Sequence, residues 1–265
     1  TYSYLQDYES ALQYLLPSVA YFEKTKNDAR LSLIYDNLGV IYRETKQYDK
    51  ALEFHQKALA IARKSGNSYD IANVLSNLGN AYSSSKRYDS ALVIMQDGLG
   101  IARKENYDNI ESNIISNIGA VLIKQGRYDS LTYYCTLGLR LAEKLGDSLA
   151  MVNNIYGLAL YSFFTSDFTK SGELAKTGFR MAQQRNYVEP SQLFADILSE
   201  LSLVKGDLRN YDYYNRLSIE LSEQFFNDRM QRNVQLLDKK YDTEKKEKLL
   251  VIQQATILRK NTLNY

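Results

Sequence analysis

Apolar residues in this chain recur at intervals of three and four, in stretches long enough for helices of about four turns. Leu31, Ile34, Tyr35, Leu38, Ile41 and Tyr42 form one such stripe, and Tyr48, Ala51, Leu52, His55, Leu59 and Ala62 form the next. Residues at that spacing share one face of a helix. The two stripes are separated at Thr45-Lys46-Gln47, so the pattern predicts two helices joined by a tight turn. The same pair returns forty residues later, with Asn77-Leu78-Gly79, Tyr88-Asp89-Ser90-Ala91-Leu92 and Leu99. It returns again as Asn117-Ile118-Gly119 and Tyr128-Asp129-Ser130-Leu131. A fixed period in this range marks stacked supersecondary units that bury their apolar faces against one another. The predicted fold is all-α, a solenoid of helix pairs over 1–225. It has a truncated first unit, then units near 28–65, 68–105, 108–145, 148–185 and 188–225.

The in-phase positions assign themselves physical roles. Small residues fill two slots, Gly39, Gly79, Gly119, Ala159, Ser199 and Ser18, Ala58, Gly98, Gly138, Gly178, Ser218. A glycine inside a helix costs about 1 kcal/mol against alanine, so its return in phase predicts close approach of two helices. Tyr8, Tyr48, Tyr88, Tyr128, Phe168 and Leu208 make a large slot, expected to fill the space between adjacent pairs. Gly66, Asn106, Gly146 and Asn186 tolerate the left-handed conformation that ends a helix. Pro17 predicts a kink in the truncated unit, and Pro190 falls where a first helical turn accepts it.

At the next stop position stands Phe226, so a long helix is expected from about Leu208 to about Asn261. Asn227-Asp228 is its weak point, since that pair could cap a fresh helix. Its apolar stripe runs Met230, Val234, Leu237, Tyr241, then, past a charged patch, Val251 and Leu258. The 226–265 extension is read as a short coiled-coil or signalling helix, or as a cap on the last unit.

Composition narrows the function classes. The net charge of +2 gives no electrostatic footprint for direct nucleic-acid contact. The chain has one cysteine and one histidine. Cys135 and His55 share a slot otherwise held by Leu15, Met95 and Ala175, which makes it a packing position. Two units separate the pair, too far for a dyad. Gly98-Leu99-Gly100 lies inside a predicted helix with no strand before it, so it is no nucleotide loop. These readings point away from an enzyme and call for no cofactor or metal. No apolar run is long enough to span a membrane, and the start inside a repeat reads as a fragment of a longer protein.

The asparagines carry the functional expectation. Asn37, Asn77 and Asn117 share one slot, and Asn73, Asn113 and Asn153 share another, four residues earlier on the same face; Asn80 extends it. An amide both donates and accepts, so such a ladder can pair with the backbone of an extended protein or peptide partner. Alternatively it bonds between neighbouring helices and holds the stack together. Glu44 and Lys124 would flank the groove.

The small residue in the first helix, the aromatic opening the second and the alanine-type crossing resemble the tetratricopeptide repeat, with a unit longer than the commoner 34 residues. That resemblance implies a right-handed solenoid whose first helices line a concave, partner-binding side. A second resemblance lies in Lys239-Lys240-Tyr241-Asp242-Thr243-Glu244-Lys245-Lys246-Glu247-Lys248. It is similar to the connector of Bacteroidetes-type membrane-bound regulators. That likeness implies a sensory region, on the periplasmic side with a cytoplasmic place as alternative, and a homodimer through the C-terminal helix. It also implies a membrane span after Tyr265 and a histidine-kinase or helix-turn-helix output. The competing expectation is a scaffold without a ligand groove.

Overall fold

The structure is a computed structural model that describes residues 8–228, 230 and 231. Every element is a helix. In chain order they are α1 (Tyr8–Lys24), α2 (Asp28–Glu44), α3 (Tyr48–Ser65), α4 (Ser68–Ser84), α5 (Tyr88–Lys104), α6 (Asp108–Gln125), α7 (Tyr128–Leu145), α8 (Ser148–Phe164), α9 (Phe168–Gln184) and α10 (Val188–Val204). An eleventh, α11, covers 208–228. Each helix packs on the one before it, from α1 on α2 through α9 on α10. The first helices of successive pairs also touch, α2 with α4, α4 with α6, α6 with α8 and α8 with α10. Successive second helices make no comparable set of contacts. The first helices therefore crowd together on the inner side of a curved stack, and the second helices fan out on the outer side.

The small slots seat large neighbours. His55 lies over Gly39 and Met95 over Gly79, so that a methyl on either glycine would sit about 2.5 to 2.7 Å from the facing side chain. Between pairs the slot of Gly98, Gly138 and Gly178 receives Ile114, Asn154 and Phe194 from the next first helix. Phe194 is wholly buried. At roughly 25 cal/mol per Å² its burial contributes about 3 kcal/mol, against about 1 kcal/mol lost by a helical glycine. The glycine–phenylalanine pair is therefore a net gain.

The turns follow one geometry. Gly66, Asn106, Gly146 and Asn186 have φ of 72, 57, 68 and 55°, and Lys26 shares the slot at 52°. Within the pairs, Lys46, Lys86 and Ser166 take φ of 60, 62 and 63° where Gly126 and Gly206 take 67 and 71°. The residue after each closes the helix end through its backbone N–H, as in Gln47 to the Tyr42 carbonyl at 2.8 Å and Arg87 to the Tyr82 carbonyl at 2.9 Å. This six-residue closure satisfies carbonyls the helix leaves orphaned. Pro17 lies inside α1, which runs through it. Pro190 is the third residue of α10, where its missing N–H removes no intrahelical bond.

The last helix departs from the pattern. Ala62, Ala102, Ala142 and Ala182 are all within 1% of full burial; Ser222, in the same slot, is exposed. Ile219 is 52% exposed where Leu59 and Leu99 are buried. Leu208 does not fill an inter-pair space as its slot predicts: it is 67% exposed, because no following pair among the described residues covers it. Asn227 and Asp228 are helical and start no fresh helix. Met230 is 47% exposed. Val234, Leu237, Tyr241, Val251 and Leu258, the rest of the expected dimerisation stripe, lie outside the described residues.

Candidate binding face

The asparagines stand on the inner side because the forty-residue phase sets them at equivalent turns of α2, α4, α6 and α8. Asn37, Asn113 and Asn153 are exposed; Asn73, Asn77, Asn80 and Asn117 are half-buried. The half-buried set is tied to the preceding first helix. Asn77 donates from Nδ2 to Oδ2 of Asp36 at 2.8 Å, and Asn73 donates to the same oxygen at 3.5 Å. One unit on, Asn117 donates to Ser76 Oγ at 3.3 Å. Lys124, exposed, reaches Ser83 Oγ at 3.4 Å. Each donor lies forty or so residues from its acceptor, so these bonds run between units. They consume amide hydrogens and use no side-chain carbonyl of Asn73, Asn77 or Asn117.

Asp36 is the centre that sequence reasoning missed. Its carboxylate is buried, 4% exposed as a residue, and its other oxygen lies 2.8 Å from His55 Nδ1. One side chain thus joins α2 to α3 through His55 and to α4 through two amides. Its slot holds Asp36, Ser76, Ser116, Tyr156 and Asp196, so no repeated residue type draws attention to it. The available signal was a charged residue flanked by apolar positions in a helix that buries two sides. His55 is wholly buried against Gly39, as a packing position requires, and is also the partner of Asp36.

Other polar groups on these helices are structural. Asn154, beside Asn153, is buried and donates to the Ala150 carbonyl at 2.7 Å. Tyr35 donates to Glu23 at 2.8 Å. Burial, and then that hydrogen bond to a carboxylate, pushes its phenol up to about 12. Burial alone pushes the Cys135 thiol up to about 12, so it is a poor nucleophile at neutral pH. Among the described residues, no group of three or more His, Cys, Asp and Glu could hold a metal ion. Nor is any described helix long and apolar enough to cross a membrane.

Two concavities lie between neighbouring pairs. One, of about 220 Å³, opens between α2 and α4 and is lined by Asp36, Asn73 and their neighbours. The other, about 610 Å³, lies at the turns after α2 and α4 and includes Lys46, Asp49, Lys86 and Arg87. Only the first adjoins the asparagine face.

Comparison with known proteins adds a family and a fold. The tetratricopeptide repeat family matches residues 1–64 and 30–104. No curated protein matches the chain. Among solved structures, BtubC (BKLC) from P. vanneervenii superposes with a TM-score of 0.70 at 14% identity, over 82% of this chain and 92% of that one. RapI in its apo form gives 0.66 at 21% identity, over 85% of this chain and 62% of its own. A Rap protein complexed with Competence and Sporulation Factor gives 0.61 at 15% identity, again over 85% and 62%. The present chain thus spans about three-fifths of the Rap proteins' length.

Proposed function

We propose that this chain, an α-solenoid that opens with tetratricopeptide repeats, is a non-enzymatic binding module. It takes a protein or peptide in extended form along the inner, asparagine-bearing face. The observation that carries this reading is the asparagine ladder. Asn37, Asn113 and Asn153 are exposed on the first helices. The bonds of Asn73, Asn77 and Asn117 leave side-chain carbonyls for a partner's backbone N–H groups. The likeness in fold to a Rap protein complexed with a factor supports a regulatory role. On this reading the chain is the sensory part of a signalling or transcription regulator and relays through the C-terminal helix. Occupation of the inner face would change the curvature of the stack and shift that helix between two dimer arrangements.

A specific observation favours the second reading, a scaffold without ligand. The bonds from Asn77 and Asn117 run to neighbouring helices and hold the stack together. The two readings separate on the exposed asparagines. Peptides selected from a phage-displayed random octapeptide library should lose most affinity for an Asn37→Ala, Asn113→Ala, Asn153→Ala variant whose melting temperature is unchanged. Selected peptides that bind this variant as well as wild type would remove the inner face as the site, and failure to select any peptide would favour the scaffold.

A further inference from the structure

The pocket of about 220 Å³ between α2 and α4 has an unusual electrostatic interior. Arg30, Ser32 and Asp36 reach it from α2, Asp70 and Asn73 from α4. Asp36 is the most deeply buried of the charged groups, and it is an anion whose hydrogen-bond donors are all formally neutral. Two are the amides of Asn73 and Asn77. The third is His55 Nδ1. The opposite ring nitrogen, Nε2, is wholly buried and finds no partner. A second proton there would be a buried donor with no acceptor, at a cost of about 1–3 kcal/mol. That geometry holds the imidazole in its neutral form with its one proton on Nδ1. Arg30 lines the same pocket yet pairs with neither aspartate among the described ion pairs. The negative charge of Asp36 is therefore uncompensated, and a buried charge without a counter-charge is costly.

We propose that this pocket receives one cationic group of the bound peptide, an arginine or lysine side chain, with Asp36 and Asp70 as its counter-charges. The inference rests on the peptide-binding reading and deepens it by fixing one chemical feature of the partner. Volume agrees with the assignment: about 220 Å³ suits the end of a single side chain and falls below the roughly 300–1,000 Å³ of pockets that take a whole small molecule. Position agrees too, since Asn73 lines the pocket and belongs to the asparagine ladder that would hold the peptide backbone on either side. The carboxylate that would meet the cation already joins α2, α3 and α4, so occupation would act on three helices at one point.

The probe is a phage-displayed library of random octapeptides, selected in parallel on the wild-type chain and on Asp36→Asn, which keeps the shape and loses the charge. The wild-type selection should fix arginine or lysine at one position, and the Asp36→Asn selection should not. For a selected arginine peptide, replacement of that arginine by citrulline should weaken binding about ten-fold or more to wild type and by little to Asp36→Asn. Asp70→Asn, at a half-buried position outside the Asp36 network, should weaken the arginine peptide about three-fold with unchanged melting, which guards against Asp36→Asn failing to fold. Selected peptides that need Asn37, Asn113 and Asn153 but show no fixed cation, or that lose nothing as citrulline, overturn the pocket assignment and leave the peptide-binding reading standing. Selection of no peptide overturns both.

Discussion

Gly178 should resist the substitution that ordinarily stabilises a helix. Gly178→Ala places a methyl within the ring of Phe194, with three ring carbons closer than any real methyl contact. Phe194 is wholly buried and lies edge-on to Tyr156 at 5.7 Å between ring centroids, so the ring cannot swing aside without moving α10 from α9. Overpacking of this kind costs about 3 kcal/mol at the upper end of its usual range. Alanine's higher helix propensity returns about 1 kcal/mol. The net expectation is a loss of about 2 kcal/mol. Gly100 is the internal control. It lies in α5, and a methyl there meets nothing within 4 Å. Gly100→Ala should therefore gain about 0.5–1 kcal/mol from propensity alone. Urea unfolding followed by far-UV circular dichroism reads both as shifts in midpoint of opposite sign. Adding Phe194→Leu to Gly178→Ala should recover part of the loss, giving a coupling energy above about 1 kcal/mol in a double-mutant cycle. If Gly178→Ala raises the midpoint as Gly100→Ala does, close approach is not why the glycine recurs in that slot.

Three further outcomes follow from geometry already described. Lys86→Gly removes a side chain from a left-handed backbone of φ 62° and should stabilise by about 0.5–1 kcal/mol in thermal unfolding. Cys135, pushed up to about 12 by burial, should resist iodoacetamide at pH 8 in the folded chain and react readily in urea. An ordinary thiol ionises near about 8.5. The unfolded chain therefore loses its proton first, so this contribution to stability is complete below that value and declines as pH rises from there towards 12. Asp207 is held below the usual carboxylate range, first by the Asn210 backbone N–H and then by the Asn210 side chain. Its contribution is present above the ordinary carboxylate value and is lost as pH falls through the depressed one. Amide exchange at Asn210 should accelerate over that window and show no such step in Asp207→Ala.

The architecture was legible because it depends on features that repeat. Glycines at 39 and 79 opposite His55 and Met95, and stop positions at 66, 106, 146 and 186, recur in phase and have one physical meaning each. What did not repeat was hidden. Asp36 sits one residue from Asn37, and its partners are 19, 37 and 41 residues away, so spacing alone could not join them. The asparagines could be placed on one face, yet periodicity cannot tell an amide turned to a neighbouring helix from one turned to solvent. Asn77 and Asn37 share a slot and differ in just this respect. The lysines at 26, 46 and 86 carry positive φ where glycine or asparagine stands elsewhere. A lysine gives no sign of that unless the turn is read by analogy with its copies.

The serine that replaces four successive buried alanines on α11 has a consequence for assembly. Units that stack by one repeated rule are at risk of open-ended polymerisation, since the far end of one molecule offers the seat that the near end of another fits. At 222 that seat is polar and out of register with its four predecessors. A second molecule arriving end-on would have to strip water from a hydroxyl where every internal junction buries a methyl. Growth by head-to-tail addition is thereby penalised at the step where it would begin.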